Sequence, residues 1–159
     1  MIVDDNVLDV LIKTLRSLQK PVCERVADRL EKQVHTFNSY DLLLRSGTLN
    51  PSDAKKICEA LKRVHLNHNI LLKSFSVSYN PAIGSDGATA ILSSLPKDIQ
   101  ELGMVGCGLG DDIGERLVEY IQQGKNLVMV CVEENFFSQK LKDAILDLKQ
   151  QKTNCTIIV

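Results

Sequence analysis

The chain has 159 residues, 44% of them apolar, 25% charged and 4% aromatic, with a formal net charge of -1. That length suits one domain with a real core, and there is no basic excess to neutralise phosphates, which argues against nucleic acid as a partner. The scarcity of aromatics argues against an aromatic-lined sugar or nucleic-acid groove, and the longest fully apolar run, LVMVCV at 127–132, is too short to cross a bilayer.

The opening MIVDDN is acidic, with Asp4 and Asp5 together, and lacks the basic segment of a secretory signal. Two helical patterns follow. NVLDVLIKTLRSL repeats apolar residues at Val7, Leu8, Leu11, Ile12, Leu15 and Leu18. PVCERVADRLEKQV repeats them at Val22, Val26, Leu30 and Val34. Pro21 suits the first turn of the second helix, and His35 at its end complements the helix dipole. Residues 1–36 are therefore expected to form a helical hairpin that covers the N-terminal end of a second unit, 37–159.

In YDLLLRSGTL, Leu42 and Leu44 take inward strand positions, Gly47 marks a turn, and Leu49 follows it. Ser39 leaves an earlier apolar position unfilled. LNPSDAKKICEALKRV predicts a helix with Ser52 or Asp53 as its cap and Ala54, Ile57, Ala60, Leu61 and Val64 on one face. HLNHN reads as a loop. His65 and His68 are three apart, a spacing metal ligands can use, but no acid or Cys follows closely and the solvated reading is preferred.

Three segments then align: LKSFSVSYN (72–80), IQELGMVGC (99–107) and LVMVCVEEN (127–135). Each runs apolar-x-x-apolar-x-apolar-x-x and ends in Asn or Cys. Asn80, Cys107 and Asn135 are 27 and 28 residues apart. The phase persists beyond the strand through Ile83, Leu109 and Phe137, then Ile91, Leu117 and Ile145, then Leu95, Ile121 and Leu148. Each unit predicts a strand, a turn and a helix. CTIIV closes the chain as a further strand, with Cys155 and Ile157 inward. Leu44, Val77, Met104, Val132 and Ile157 are expected to stack in one inward row.

GMVGCGLGDDIGERL (103–117) has the glycine-rich, strand-to-helix setting of a dinucleotide loop. Asp111 and Asp112 stand where a phosphate would bind. They are expected to cap the helix and to repel phosphate, so no cofactor is expected. Gly106, Gly108 and Gly110 are instead assigned to a tight turn around Leu109.

There are five cysteines, with no C-x-x-C pair. Reduced thiols in a cytoplasmic setting are the expectation. Cys107 should serve the turn backbone as the amides of Asn80 and Asn135 do. Cys131 faces away from the core with no base beside it. The acidic pairs, Glu133–Glu134 among them, are not framed by a metal-ligand set. Ser74, Ser76 and Ser78 have no paired His. No catalytic or metal-binding residue is assigned, and the chain is not expected to be an enzyme.

From 37 to 159 the pattern resembles ribonuclease-inhibitor-type leucine-rich repeats. EALKRVHLNHNILLKSFSVSYN is also similar to the repeat domain of tropomodulins, which cap actin filaments. The resemblance implies an α/β solenoid with a parallel concave sheet and convex helices. About four repeats and a terminal strand would follow the N-terminal cap.

Alternation along the strands assigns the concave face. Its second half gathers Val105, Met129, Cys131 and Ile158, an apolar stripe with Glu101 and Glu133 at the rim. Such patches mark protein interfaces. The expected function is a non-catalytic interaction module that binds a protein partner through this face, with neither nucleic acid nor membrane as partner. The alternative is an assembly subunit that works through its ends, as a filament cap or homo-oligomer. CTIIV is mostly β-branched and has no Lys or Pro to blunt a sheet edge, so weak self-association through it is expected.

Overall fold

A computed structural model describes residues 6–33, 38–67 and 69–159. Asp4, Asp5, Val34, His35 and His68 lie outside the described residues. The chain is an α/β protein with one five-stranded parallel sheet and six α-helices among the described residues.

The N-terminal hairpin consists of α1 (Asp9–Ser17) and α2 (Pro21–Gln33). Leu11, Ile12 and Leu15 of α1 and Val22, Val26 and Leu30 of α2 recur at helical spacing, and all are buried. α1 packs on α2 and α3, and α2 also reaches β1. Arg16 ties the hairpin together from outside, 3.2 Å from Glu24, 2.9 Å from Asp28 and 2.8 Å from Glu31.

Strand and helix then alternate: β1 (Ser39–Leu43), α3 (Pro51–Asn67), β2 (Leu71–Ser76), α4 (Gly84–Ser94), β3 (Glu101–Gly103), α5 (Gly114–Gln123), β4 (Met129–Cys131), α6 (Gln139–Gln151) and β5 (Thr156–Ile158). A one-turn 3-10 helix at Asp111–Ile113 leads into α5. The strands pair in chain order, all parallel, as short helical crossovers allow. The helices pack in the same order, α3 on α4, α4 on α5 and α5 on α6.

The core lies between the sheet and this row of helices. Leu42, Phe75, Leu102, Val130 and Ile157 are aligned across all five strands, and each is buried. Leu44, Val77, Met104 and Val132, two residues further along, form a second buried row. Ile157 pairs with Val130, not with Val132, so the expected register of the last strand is two residues out. Nothing after Cys155 repeats the Asn/Cys turn from which the other strands could be aligned.

At the other edge the strand has a register shift between Tyr40 and Asp41, which sets Tyr40 beside Leu72. Tyr40 is 4% exposed and fills the apolar place that Ser39 leaves vacant. Its hydroxyl lies 3.2 Å from Nε2 of His65. α3 runs on through Asn67, so His65 is helical and rests on Tyr40 instead of standing in a loop.

The cap of α3 also differs from the expectation. Asn50 Oδ1 accepts the amide of Asp53 at 2.9 Å, and Asp53 Oδ2 accepts the amide of Asn50 at 3.0 Å. This reciprocal box places Pro51 at the first helical position. Asp53 also pairs with Lys20 at 2.6 Å, which joins the hairpin to the sheet unit.

The turns recur in fine detail. Asn80 Oδ1 accepts the amides of Gly47 and Leu49, each at 2.9 Å, and its Nδ2 donates to the carbonyls of Leu44 and Val77. Asn135 repeats this with the amides of Cys107 and Leu109 and the carbonyls of Met104 and Val132. Between them, Cys107 Sγ lies 3.2 Å from the carbonyl of Val77. The residue before each turn position is left-handed, with φ of 52° at Ser46, 62° at Tyr79, 58° at Gly106 and 59° at Glu134. Gly108, at φ 71°, has Pro81 O 2.5 Å from where a Cβ would stand. Gly110 has φ -113° and needs no such freedom.

Candidate functional site

The sheet face opposite the helices presents its own rows. Asp41, Ser74, Glu101, Met129 and Thr156 align across the strands, as do Leu43, Ser76, Gly103, Cys131 and Ile158. Arg45, Ser78, Val105 and Glu133 follow two residues further along. Thr156 thus stands beside Met129, and Ile158 beside Cys131.

Met129 is 41% exposed and Ile158 44% exposed, so both are displayed as expected. Leu43, at the far end of the Ile158 row, is exposed as well. Cys131 is half-buried. Val105 is only 5% exposed, yet it stands apart from the core packed by the helices. It is a covered part of this face and not a displayed anchor.

A groove of about 300 Å³ crosses the face, lined by Met129, Cys131, Val105, Glu101 and Glu133, with Leu43, Arg45 and Tyr79 at its β1 side. It therefore gathers all the sequence-predicted residues except Ile158, which lies one strand beyond Cys131. At its middle Gly103 has no side chain, and Ser76 and Ser78 close over it: a Cβ there would come within 2.7 Å of Ser76 Oγ.

The polar groups here are held in structural roles. Ser74 Oγ donates to Glu101 Oε2 at 3.0 Å, Ser76 Oγ donates to Ser78 Oγ at 3.2 Å, and Ser78 Oγ accepts the amide of Val105 at 3.1 Å. Burial, and then Glu133, raise the Cys131 thiol above its ordinary range, with Arg45 opposing. A thiol held protonated is a poor nucleophile. The buried Cys23, Cys58 and Cys107 are pushed up to about 11, chiefly by burial.

Two carboxylate atoms on this face are buried without a hydrogen-bond partner among the described residues: Oδ1 of Asp41 and Oε2 of Glu133. A buried acceptor left unpaired costs free energy. Arg45 is close by, with its guanidinium carbon 5.5 Å from the centre of the Tyr79 ring. Alternation places Asp41 on this face but outside the apolar stripe of its second half, and Tyr79 is hidden because its position is treated as a turn spacer.

The glycine-rich stretch after β3 has a different use. Asp111 and Asp112 do not cap their own helix. Asp111 Oδ1 accepts the amide of Ser138 at 2.8 Å; the Ser138 hydroxyl, and then this amide, lower the acid below its ordinary range, and Asp112 Oδ1 accepts from Ser85 Oγ at 2.6 Å. They join this unit to the ones on either side.

A second cavity, of about 390 Å³, lies between α5 and α6 against Gly114, Val118, Leu141 and Ala144. Among the described residues no group of three or more His, Cys, Asp or Glu could hold a metal ion, and no helix is long and apolar enough to cross a membrane. No protein-family model matches the chain, and no curated protein matches it.

Proposed function

We propose that this chain is a ribonuclease-inhibitor-type leucine-rich-repeat solenoid, residues 37–159, capped by the helical hairpin of 1–36. In this reading it is a non-catalytic module that binds a protein partner through the open, concave face of its sheet. The repeat assignment draws on three recurrences. Aligned strand residues are 27 or 28 apart from β2 onward. Asn80 and Asn135 make the same four backbone hydrogen bonds. A left-handed residue precedes every turn position.

The observation that carries the functional reading is the groove itself. It joins displayed apolar side chains, Leu43 and Met129, to the acids Glu101 and Glu133, and Oε2 of Glu133 is buried with no hydrogen-bond partner among the described residues. A partner that covers Met129 and Ile158 gains hydrophobic burial, and one that brings positive charge complements the acids beside them. The acidic groups disfavour nucleic acid and anionic membrane surfaces as occupants. Five free thiols suit a reducing, cytoplasmic setting. The face is open, the serines are engaged and the Cys131 thiol is held protonated. These features suit binding better than chemistry.

Affinity capture from cell lysate tests the reading. Met129→Lys combined with Ile158→Lys should abolish capture, while Lys56→Glu on the exposed side of α3 should not. Capture that survives the first pair and fails with the second places the partner on the helix side.

A second reading, assembly through the ends of the sheet, is favoured by β5. Among the described residues this strand pairs with β4 alone, and Thr156, Ile157 and Ile158 are β-branched and uncharged. Concentration-dependent light scattering would support it. A monomer at every concentration would refute it.

A further inference from the structure

Resting on that binding face, we propose that the groove takes an extended segment of a partner protein that sets one Arg or Lys over Gly103, between the carboxylates of Glu101 and Glu133. Apolar side chains of the same segment lie against Ile158 on one side and Leu43 on the other.

The shape of the face supports this occupant. Gly103 brings no side chain of its own to the groove and is flanked by Ser76 and Cys131 in its own row. Glu101 stands one row back on the same strand, and Glu133 one row forward beyond Cys131. Both acids raise the Cys131 thiol, so both act at the middle of the groove. Among the described residues no Lys or Arg forms an ion pair with Asp41, Glu101 or Glu133. The cation on this face, Arg45, lies over Tyr79. Arg45 also acts on the Cys131 thiol, against the acids, but it is one cation facing Asp41, Glu101 and Glu133, so negative charge remains in excess and a cationic side chain complements it.

The length fits as well. Leu43 and Ile158 occupy one row on the first and last strands, four steps of roughly 4.8 Å apart, or about 19 Å. An extended segment of about six residues covers that span. An acidic peptide would bring like charge against Asp41, Glu101 and Glu133.

Selection of short random peptides displayed on phage tests the proposal. The expected pool carries one Arg or Lys with apolar residues two or three positions to either side. A synthetic peptide from it should bind the double variant Glu101→Gln, Glu133→Gln at least about tenfold more weakly, and its affinity for the unaltered chain should fall as salt rises. These substitutions keep side-chain size, and an unchanged thermal midpoint confirms that the fold survives. Peptides with no basic residue that lose binding with Met129→Lys, but not with the Gln pair, overturn the basic anchor and leave the face intact. Peptides indifferent to both sets of changes, or a selection that enriches nothing beyond an unrelated control protein, overturn the anchor and the binding face together.

Discussion

Asn80 Oδ1 accepts the backbone amide of Gly47 at 2.9 Å, across 33 residues of sequence. The same amide group serves Leu49, Leu44 and Val77, so one buried side chain satisfies two turns at once. Asn80→Ala would orphan these groups and should cost about 2–5 kcal/mol. Asn135→Ala should cost less, because Asn135 is only half-buried. Urea denaturation of the two variants measures the difference. A loss under about 0.5 kcal/mol for Asn80→Ala, typical of a surface change, would contradict the role.

The two glycines around Leu109 should behave differently. Gly108→Ala meets both a left-handed backbone and the carbonyl of Pro81, and should cost about 1–3 kcal/mol. Gly110→Ala meets only the Asp112 side chain, at 3.2 Å, and should be close to neutral. Thermal melts of the pair test this, and equal losses would be inconsistent with the turn geometry.

Substitutions along the open face should separate covered from displayed positions. Val105→Lys buries an amine and should lower stability by about 2–4 kcal/mol. Met129→Lys should change it by no more than about 0.5 kcal/mol. Met104→Asp, in the fully buried row on the other side, should be the most damaging of the three. Chemical denaturation gives the order, and a Met129→Lys variant less stable than Val105→Lys would reverse the assignment.

His65 supplies a pH dependence. Burial against Tyr40 lowers its pKa below the ordinary 6.5, with Asp98 partly opposing. The unfolded chain therefore binds the proton more readily than the folded one. Stability should be full above about pH 6.5, fall as pH drops through that value, and level off below the folded pKa. His65→Gln should flatten this part of the profile. An unchanged profile in the variant would assign the titration elsewhere.

Most of the core was legible because its signal is repeated. Ile83, Leu109 and Phe137, or Ile91, Leu117 and Ile145, occupy one phase in successive units, and all are buried. Errors fell where repetition stops. The last strand lacks a turn residue to fix its register, so Ile157 was placed two positions out. The first strand carries a register shift that alternation cannot reveal, so Tyr40 was passed over for Ser39. Asp111 and Asp112 read as caps because sequence offers only local partners, whereas they link neighbouring units through Ser138 and Ser85. On the open face, alternation found the right side of the sheet for Val105 but carries no information about what covers it.

Alkylation of Cys131 tests the central claim most directly. It is the half-buried thiol on the open face, while Cys23, Cys58, Cys107 and Cys155 are buried. Mildly alkaline iodoacetamide, read by mass spectrometry, reports its exposure with and without the captured partner. With the partner present at about ten times its Kd, a partner seated on this face should slow Cys131 labelling about tenfold. Labelling of Cys131 at the same rate in the free and bound chains would contradict the account.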